Sequence, residues 1–125
     1  MQTSVLLSIK PKFAAAIFSG EKQFEFRRAI FANKEVKRVY VYASHPIGLI
    51  IGEFEIDTII SMDPESLWKE TKRAAGISKK YFDEYFDGKN YAHALKVRSV
   101  QPYKEPKSLM DMFNIARPPQ SFMYV

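Results

Sequence analysis

The chain contains no cysteine. That excludes a disulfide framework and a thiolate metal site, and it fits a reducing compartment. No stretch reaches the roughly 20 apolar residues that a membrane span requires. The longest apolar run, around Ile50, is interrupted by Gly48, Gly52 and Glu53. The opening Met1-Gln2-Thr3-Ser4 lacks the basic start and apolar block of a signal peptide. A cytoplasmic protein with no membrane partner is expected. Internal repeats, low-complexity tracts and a domain-separating linker are all absent, as are a glycine-rich phosphate loop and a G-x-S-x-G motif. There are two histidines. His45 precedes Pro46 at a strand end, where it can touch a ligand or move a proton. His93 alternates with apolar residues, as a partly buried structural histidine does. They lie far apart and no third ligand accompanies them, so neither a metal site nor a cofactor is expected.

What is present suits one domain spanning residues 1–125. Hydrophobic residues make up 46%, enough for a core at this size, and charged residues 26%, ordinary for a globular protein. The net charge of +5 is unevenly spread. Residues 1–46 carry eight Lys/Arg against three acids, residues 47–95 six against nine, and residues 96–125 five against two. Both ends are therefore basic and the middle is acidic. Basic surface favours polyanions through counterion release.

Periodicity predicts the elements. Val5–Ile9 reads as a strand bounded by Pro11. Lys12–Ser19 reads as a short helix stopped by Gly20. From Gln23 to Arg28 the pattern alternates, with Phe24 and Phe26 on one face and Glu25 and Arg27 on the other, which predicts a half-buried strand. Lys37–Ala43 is a third strand and Leu49–Ile60 a long fourth. In the fourth, Phe54, Ile56, Thr58 and Ile60 share a face opposite Glu53, Glu55 and Asp57. Those acids could bind a cation, but such a pattern is more often a solvent face. Gly48 and Gly52 suggest bulges or a bend that helps curl the sheet. Asp63-Pro64 starts a helix with Leu67, Trp68, Thr71, Ala74 and Ala75 as its stripe, stopped at Gly76. Ser78 caps another, whose stripe Tyr81, Phe82, Tyr85 and Phe86 reads mainly as a core face. Tyr91–Val100 is a further strand, after which Pro102 and Pro106 break the chain. Leu109–Phe113 makes a helical turn, and Arg117–Val125 is extended. Mixed strands with few helices predict an α+β barrel.

The densest polar cluster is Gly20-Glu21-Lys22-Gln23-Phe24-Glu25-Phe26-Arg27-Arg28. It places Lys22 at the mouth of a strand, with Glu25 and Arg27 on one face. A carboxylate between cations stays ionised and orients them, which would let Arg27 offer a planar donor fork to a phosphate or a base edge. The alternative is a solvated strand face with a routine ion pair.

Gly20-x-Lys22-x-x-Glu25-x-Arg27 resembles the G-x-K-x-x-E-x-R signature of ASCH domains. Ser8-Ile9-Lys10-Pro11, Tyr42-Ala43-Ser44-His45-Pro46 and Pro118-Pro119-Gln120-Ser121-Phe122 resemble a small bacterial, archaeal and phage branch of that family. The resemblance implies a PUA-like β-barrel of about five to six mixed strands with flanking helices. It also implies a cleft lined by Lys22, Glu25 and Arg27, with Ser8, Lys10, Tyr42, Ser44 and Gln120 as neighbours. The family is associated with RNA, modified bases and coactivator or regulatory roles. An RNA, single-strand or nucleotide ligand is expected, with Tyr42 stacking on a base.

One branch resembling this family removes an acetyl group from N4-acetylcytidine with a threonine, a lysine and a glutamate. Lys22 matches the lysine, Glu25 occupies the threonine position, and Arg73-Ala74-Ala75-Gly76 lacks the acid. A carboxylate cannot replace an alkoxide nucleophile without a change of mechanism. Ribonuclease activity is also attributed to ASCH proteins, and Lys22 with Glu25 as base is the catalytic pair it would draw on. The expected function is thus a nucleic-acid-binding module. The alternatives are a nuclease or amidohydrolase on RNA or a modified nucleoside, and a protein-interaction domain.

Overall fold

The computed structural model describes residues 4–125. The elements run β1 (Ser4–Ile9), α1 (Pro11–Ser19), β2 (Phe24–Arg27), β3 (Arg38–Ala43), β4 (Leu49–Met62), α2 (Pro64–Thr71), α3 (Lys79–Tyr85), β5 (Ala92–Lys107), α4 (Leu109–Phe113) and β6 (Phe122–Tyr124). One six-stranded sheet, in the order β2-β5-β4-β3-β1-β6, curls into a half-barrel. β1 pairs in parallel with β3, and every other pairing is antiparallel. The fold is α+β, a mixed, barrel-like sheet with four helices, as expected. Among the described residues no helix is long and apolar enough to cross a membrane.

Three apolar clusters organise the packing. The concave face of the sheet holds Val5, Leu7, Ile9, Val39, Val41, Phe54, Ile56 and Leu95, closed by Ala14 and Ile17 of α1. A second cluster packs Phe24, Phe26 and Ala94 against Leu67 of α2 and Phe82 of α3, with Phe86 just beyond that helix. A third joins Leu6, Tyr42 and Ile50 to Leu109 of α4. Side-chain caps fix the helix starts: Asp63 accepts from Ser66 N and Ser78 from Tyr81 N, each at 3.0 Å.

Three expectations about strands need correction. β2 is not half-buried: all four of its residues are buried, because the curl turns the Glu25/Arg27 face inward while α2 and α3 cover the other. The single face expected over Phe54–Ile60 is broken by irregularities at Glu55/Ile56 and Ile56/Thr58. Ile59 therefore joins the concave cluster and Ile60 packs against the helix side. Pro102 and Pro106 do not break the chain, since β5 runs through both to Lys107. β2 borders β5 only at His93–Lys96, so the later half of β5 is a sheet edge, where proline's missing N–H is tolerated.

Gly52 enables the curl. It sits where the β4 register slips, and a Cβ there would lie 2.6 Å from the Phe18 ring and 2.7 Å from the Gln101 carbonyl oxygen. Only a glycine lets α1 press this closely on the strand.

Candidate functional site

The two margins of the sheet are β2 and β6. No backbone ladder joins them among the described residues. The Arg27 guanidinium does so instead. Its Nη2 donates to the Ser121 carbonyl at 2.7 Å and lies 3.3 Å from Ser121 Oγ. Its Nη1 donates to the Ser8 carbonyl at 3.4 Å and to Glu25 Oε2 at 3.2 Å. Ser8 Oγ in turn donates to the Pro119 carbonyl at 2.7 Å, which holds the final segment down.

A cavity of about 200 Å³ opens beside this seam. Ser8, Lys10, Lys22, Glu25, Arg27 and Gln120, six of the expected site residues, line it. Tyr42 and Ser44 do not. Tyr42 is 8% exposed and lies in the cluster with Leu6, Ile50 and Leu109, on the opposite side of β3 from the concave core. Ser44 turns out of β3, its N–H donating to the Ile9 carbonyl. His45 is exposed in the same turn.

Lys22 stands just ahead of β2, as expected, but is buried at the floor of the cavity, 2% exposed. Its Nζ donates to the Ala75 carbonyl at 2.9 Å and lies 4.5 Å from the Phe26 ring centroid. Gly76 covers its stem: at φ +68°, a Cβ there would fall 2.5 Å from Lys22 Cβ. Burial pushes the Lys22 ammonium down to about 8, against the opposing attraction of Glu25. Burial likewise raises the Glu25 carboxyl above its usual range, while Arg27 and Lys22 pull it back. The Glu25–Arg27 ion pair is enclosed, not a solvated surface pair. An amine and a carboxyl are thus displaced toward neutral pH on one small cavity wall, as acid–base sites require.

The aromatic wall was legible only in part. The stripe 81, 82, 85, 86 divides: Phe82 and Phe86 are buried in the helix-side core, whereas Tyr81 and Tyr85 line the cavity. The signal was the alternation of hydroxylated and plain rings, which separates a wet row from a dry one. Tyr85 Oη donates to the Phe26 carbonyl at 3.2 Å, and burial raises its pKa. Ile9, Phe13, Phe26 and Ile77 complete the apolar lining, and none of them was expected there.

The acids of β4 are paired elsewhere. Glu53 accepts from Arg38 and Tyr103, Glu55 lies 3.8 Å from Arg38, and Asp57 3.7 Å from Lys96. No group of three His, Cys, Asp or Glu suited to a metal occurs among the described residues. His93 is half-buried beside Ser61, with 2.7 Å between Nδ1 and the hydroxyl. Its pKa is lowered by burial and by Lys34 and Lys89.

The ASCH domain model matches residues 7–113. The chain belongs to the ASCH family. It is 34% identical over 123 residues to an ASCH domain-containing ribonuclease of Zymomonas mobilis, covering 96% of this chain and 82% of that protein. The crystal structure of ASCH from Zymomonas mobilis superposes with a TM-score of 0.89 at 32% identity, over 100% of this chain and 89% of that one. This chain is also 33% identical to the large ribosomal subunit protein uL22 of Ureaplasma parvum, over 98% of this chain but 39% of that protein. The chain therefore spans about two fifths of that relative's length. The N-terminal domain of Staphylothermus marinus McrB, 12% identical with a TM-score of 0.56, shares the fold.

Proposed function

We propose that this ASCH domain cleaves RNA at the seam cavity, with Lys22 and Glu25 as its acid–base pair. The observation that carries this reading is the burial of that pair on the cavity wall, with both pKa values drawn toward neutrality. The similarity to a protein named a ribonuclease moves the weight from binding alone to cleavage and supports an RNA substrate.

In this reading one unstacked base enters against Tyr85, which leaves its ribose near the polar floor. Ionised Glu25 takes the 2′-hydroxyl proton. O2′ then bonds to phosphorus, the P–O5′ bond breaks, and the departing O5′ receives a proton from the Lys22 ammonium. The products are a 2′,3′-cyclic phosphate and a 5′-hydroxyl. With its pKa at about 8, about nine-tenths of Lys22 is protonated at pH 7 and can donate. Arg27, which donates to the Glu25 carboxylate, opposes the effect of burial and favours its ionised form.

Mass spectrometry of RNA incubated with the protein should show cyclic-phosphate ends. Lys22→Ala and Glu25→Gln should each lower the rate by roughly 100- to 10,000-fold. Wild-type protein that binds RNA without cleaving it would return the assignment to a binding module. Undiminished cleavage in both variants would remove this pair from the chemistry.

A further inference from the structure

The cavity, at about 200 Å³, is smaller than the roughly 300–1,000 Å³ of sites that enclose a drug-sized ligand. It has room for one base. A neighbouring nucleotide must lie on what surrounds the opening, and that rim is specifically built. Lys10 Nζ donates to Tyr81 Oη at 3.3 Å and sits 5.6 Å from the centre of that ring. Lys12 Nζ lies 5.1 Å from the Phe13 ring and 6.0 Å from the Tyr81 ring. The Phe13 and Tyr81 rings meet edge to face at 5.2 Å, and the Ser78 cap anchors the first turn of α3 beneath Tyr81. Both lysines are exposed, and among the described residues neither has a carboxylate within salt-bridge distance.

We propose that Lys10, Lys12, Phe13 and Tyr81 form an outer subsite for the nucleotide adjoining the one in the cavity, so that the smallest fully engaged ligand is a dinucleotide. The inference rests on the RNA reading of the cavity. The second base stacks on the Phe13–Tyr81 step, which is held rigid before the ligand arrives. The phosphodiester between the two nucleotides draws the lysine heads off the aromatic faces. It replaces weak, exposed cation–π contacts with charge-assisted hydrogen bonds. Lys10 and Lys12 lie on the strand-to-helix junction and Tyr81 on α3, so the subsite spans two elements that the fold already holds together.

Binding of 2′-O-methyl ligands, which resist attack by O2′, tests this without turnover. Each nucleoside monophosphate is compared with its homodinucleotide by calorimetry at several salt concentrations. The dinucleotide should bind roughly 5- to 100-fold more tightly. Tyr81→Leu should abolish most of that gain, and Tyr81→Phe should keep it, because the ring carries it. Lys12→Ala should flatten the logarithmic salt slope for the dinucleotide by up to about 0.7. Equal affinity for monophosphate and dinucleotide would overturn the outer subsite while leaving the cavity reading intact. So would a gain that survives in the Lys12→Ala/Tyr81→Leu double variant. Failure of wild type to bind mononucleotide, dinucleotide or longer RNA at low salt would overturn both.

Discussion

The Lys22 ammonium provides a quantitative check on the site. In the folded chain it titrates near 8, against 10.5 for an ordinary lysine. At about 1.4 kcal/mol per pH unit, keeping the charged form buried costs about 3 kcal/mol. The penalty is complete below pH 8, where both states hold the proton. Between 8 and 10.5 the unfolded chain binds more protons than the folded one, so stability from this group rises with pH. From pH 7 to pH 10 the rise is roughly 2–3 kcal/mol. The Lys22 ¹³Cε resonance, followed by NMR, should titrate with a midpoint near 8, well separated from the exposed lysines. Glu25 attracts the ammonium, so Glu25→Gln should move that midpoint further down. Urea unfolding should show wild type gaining on Lys22→Met between pH 7 and pH 10. A midpoint near 10.5, or one that climbs in Glu25→Gln, would refute the burial of the Lys22 ammonium within the field of Glu25.

Two other substitutions probe how the site is held. Gly76→Ala combines a left-handed backbone with a 2.5 Å approach to the Lys22 stem, and urea unfolding should show a loss of at least about 2 kcal/mol, together with weakened cleavage. Arg27→Ala leaves Glu25 buried without its ion pair and the Ser121 carbonyl without its donor. A loss of about 3–5 kcal/mol and a further rise of the Glu25 pKa, read by carboxyl NMR titration, are expected.

Much of this arrangement was legible in the residues, and the failures have physical causes. The element order and the Lys22–Glu25–Arg27 cluster follow from periodicity and from the resemblance. Alternation tells which side chains share a face, but not whether the far face will be enclosed. β2 was therefore read as half-buried, because only the curl of the whole sheet closes over Glu25 and Arg27. Tyr42 illustrates the same limit. Its place in the Tyr42–Pro46 block suggested the cleft, yet β3 directs it toward α4. Proline reads as a breaker when the pairing partner is unknown, whereas in β5 it stands on an unpaired edge. The cavity's aromatic wall comes from a helix more than fifty residues from the basic signature, and local pattern carries no information about that meeting.

The stitching of the sheet margins by Arg27 has a thermodynamic consequence. Glu25 and Arg27 on β2, Ser8 on β1 and Gln120 just before β6 all line the cavity, so a ligand that filled it would touch both margins. Such a ligand would clasp both margins at once and would bind only the folded state. Occupancy and folding are then linked quantities: at a hundredfold excess over its dissociation constant, such a ligand adds about 2.7 kcal/mol to stability. The melting temperature of the domain would then be a gauge of what fills its seam.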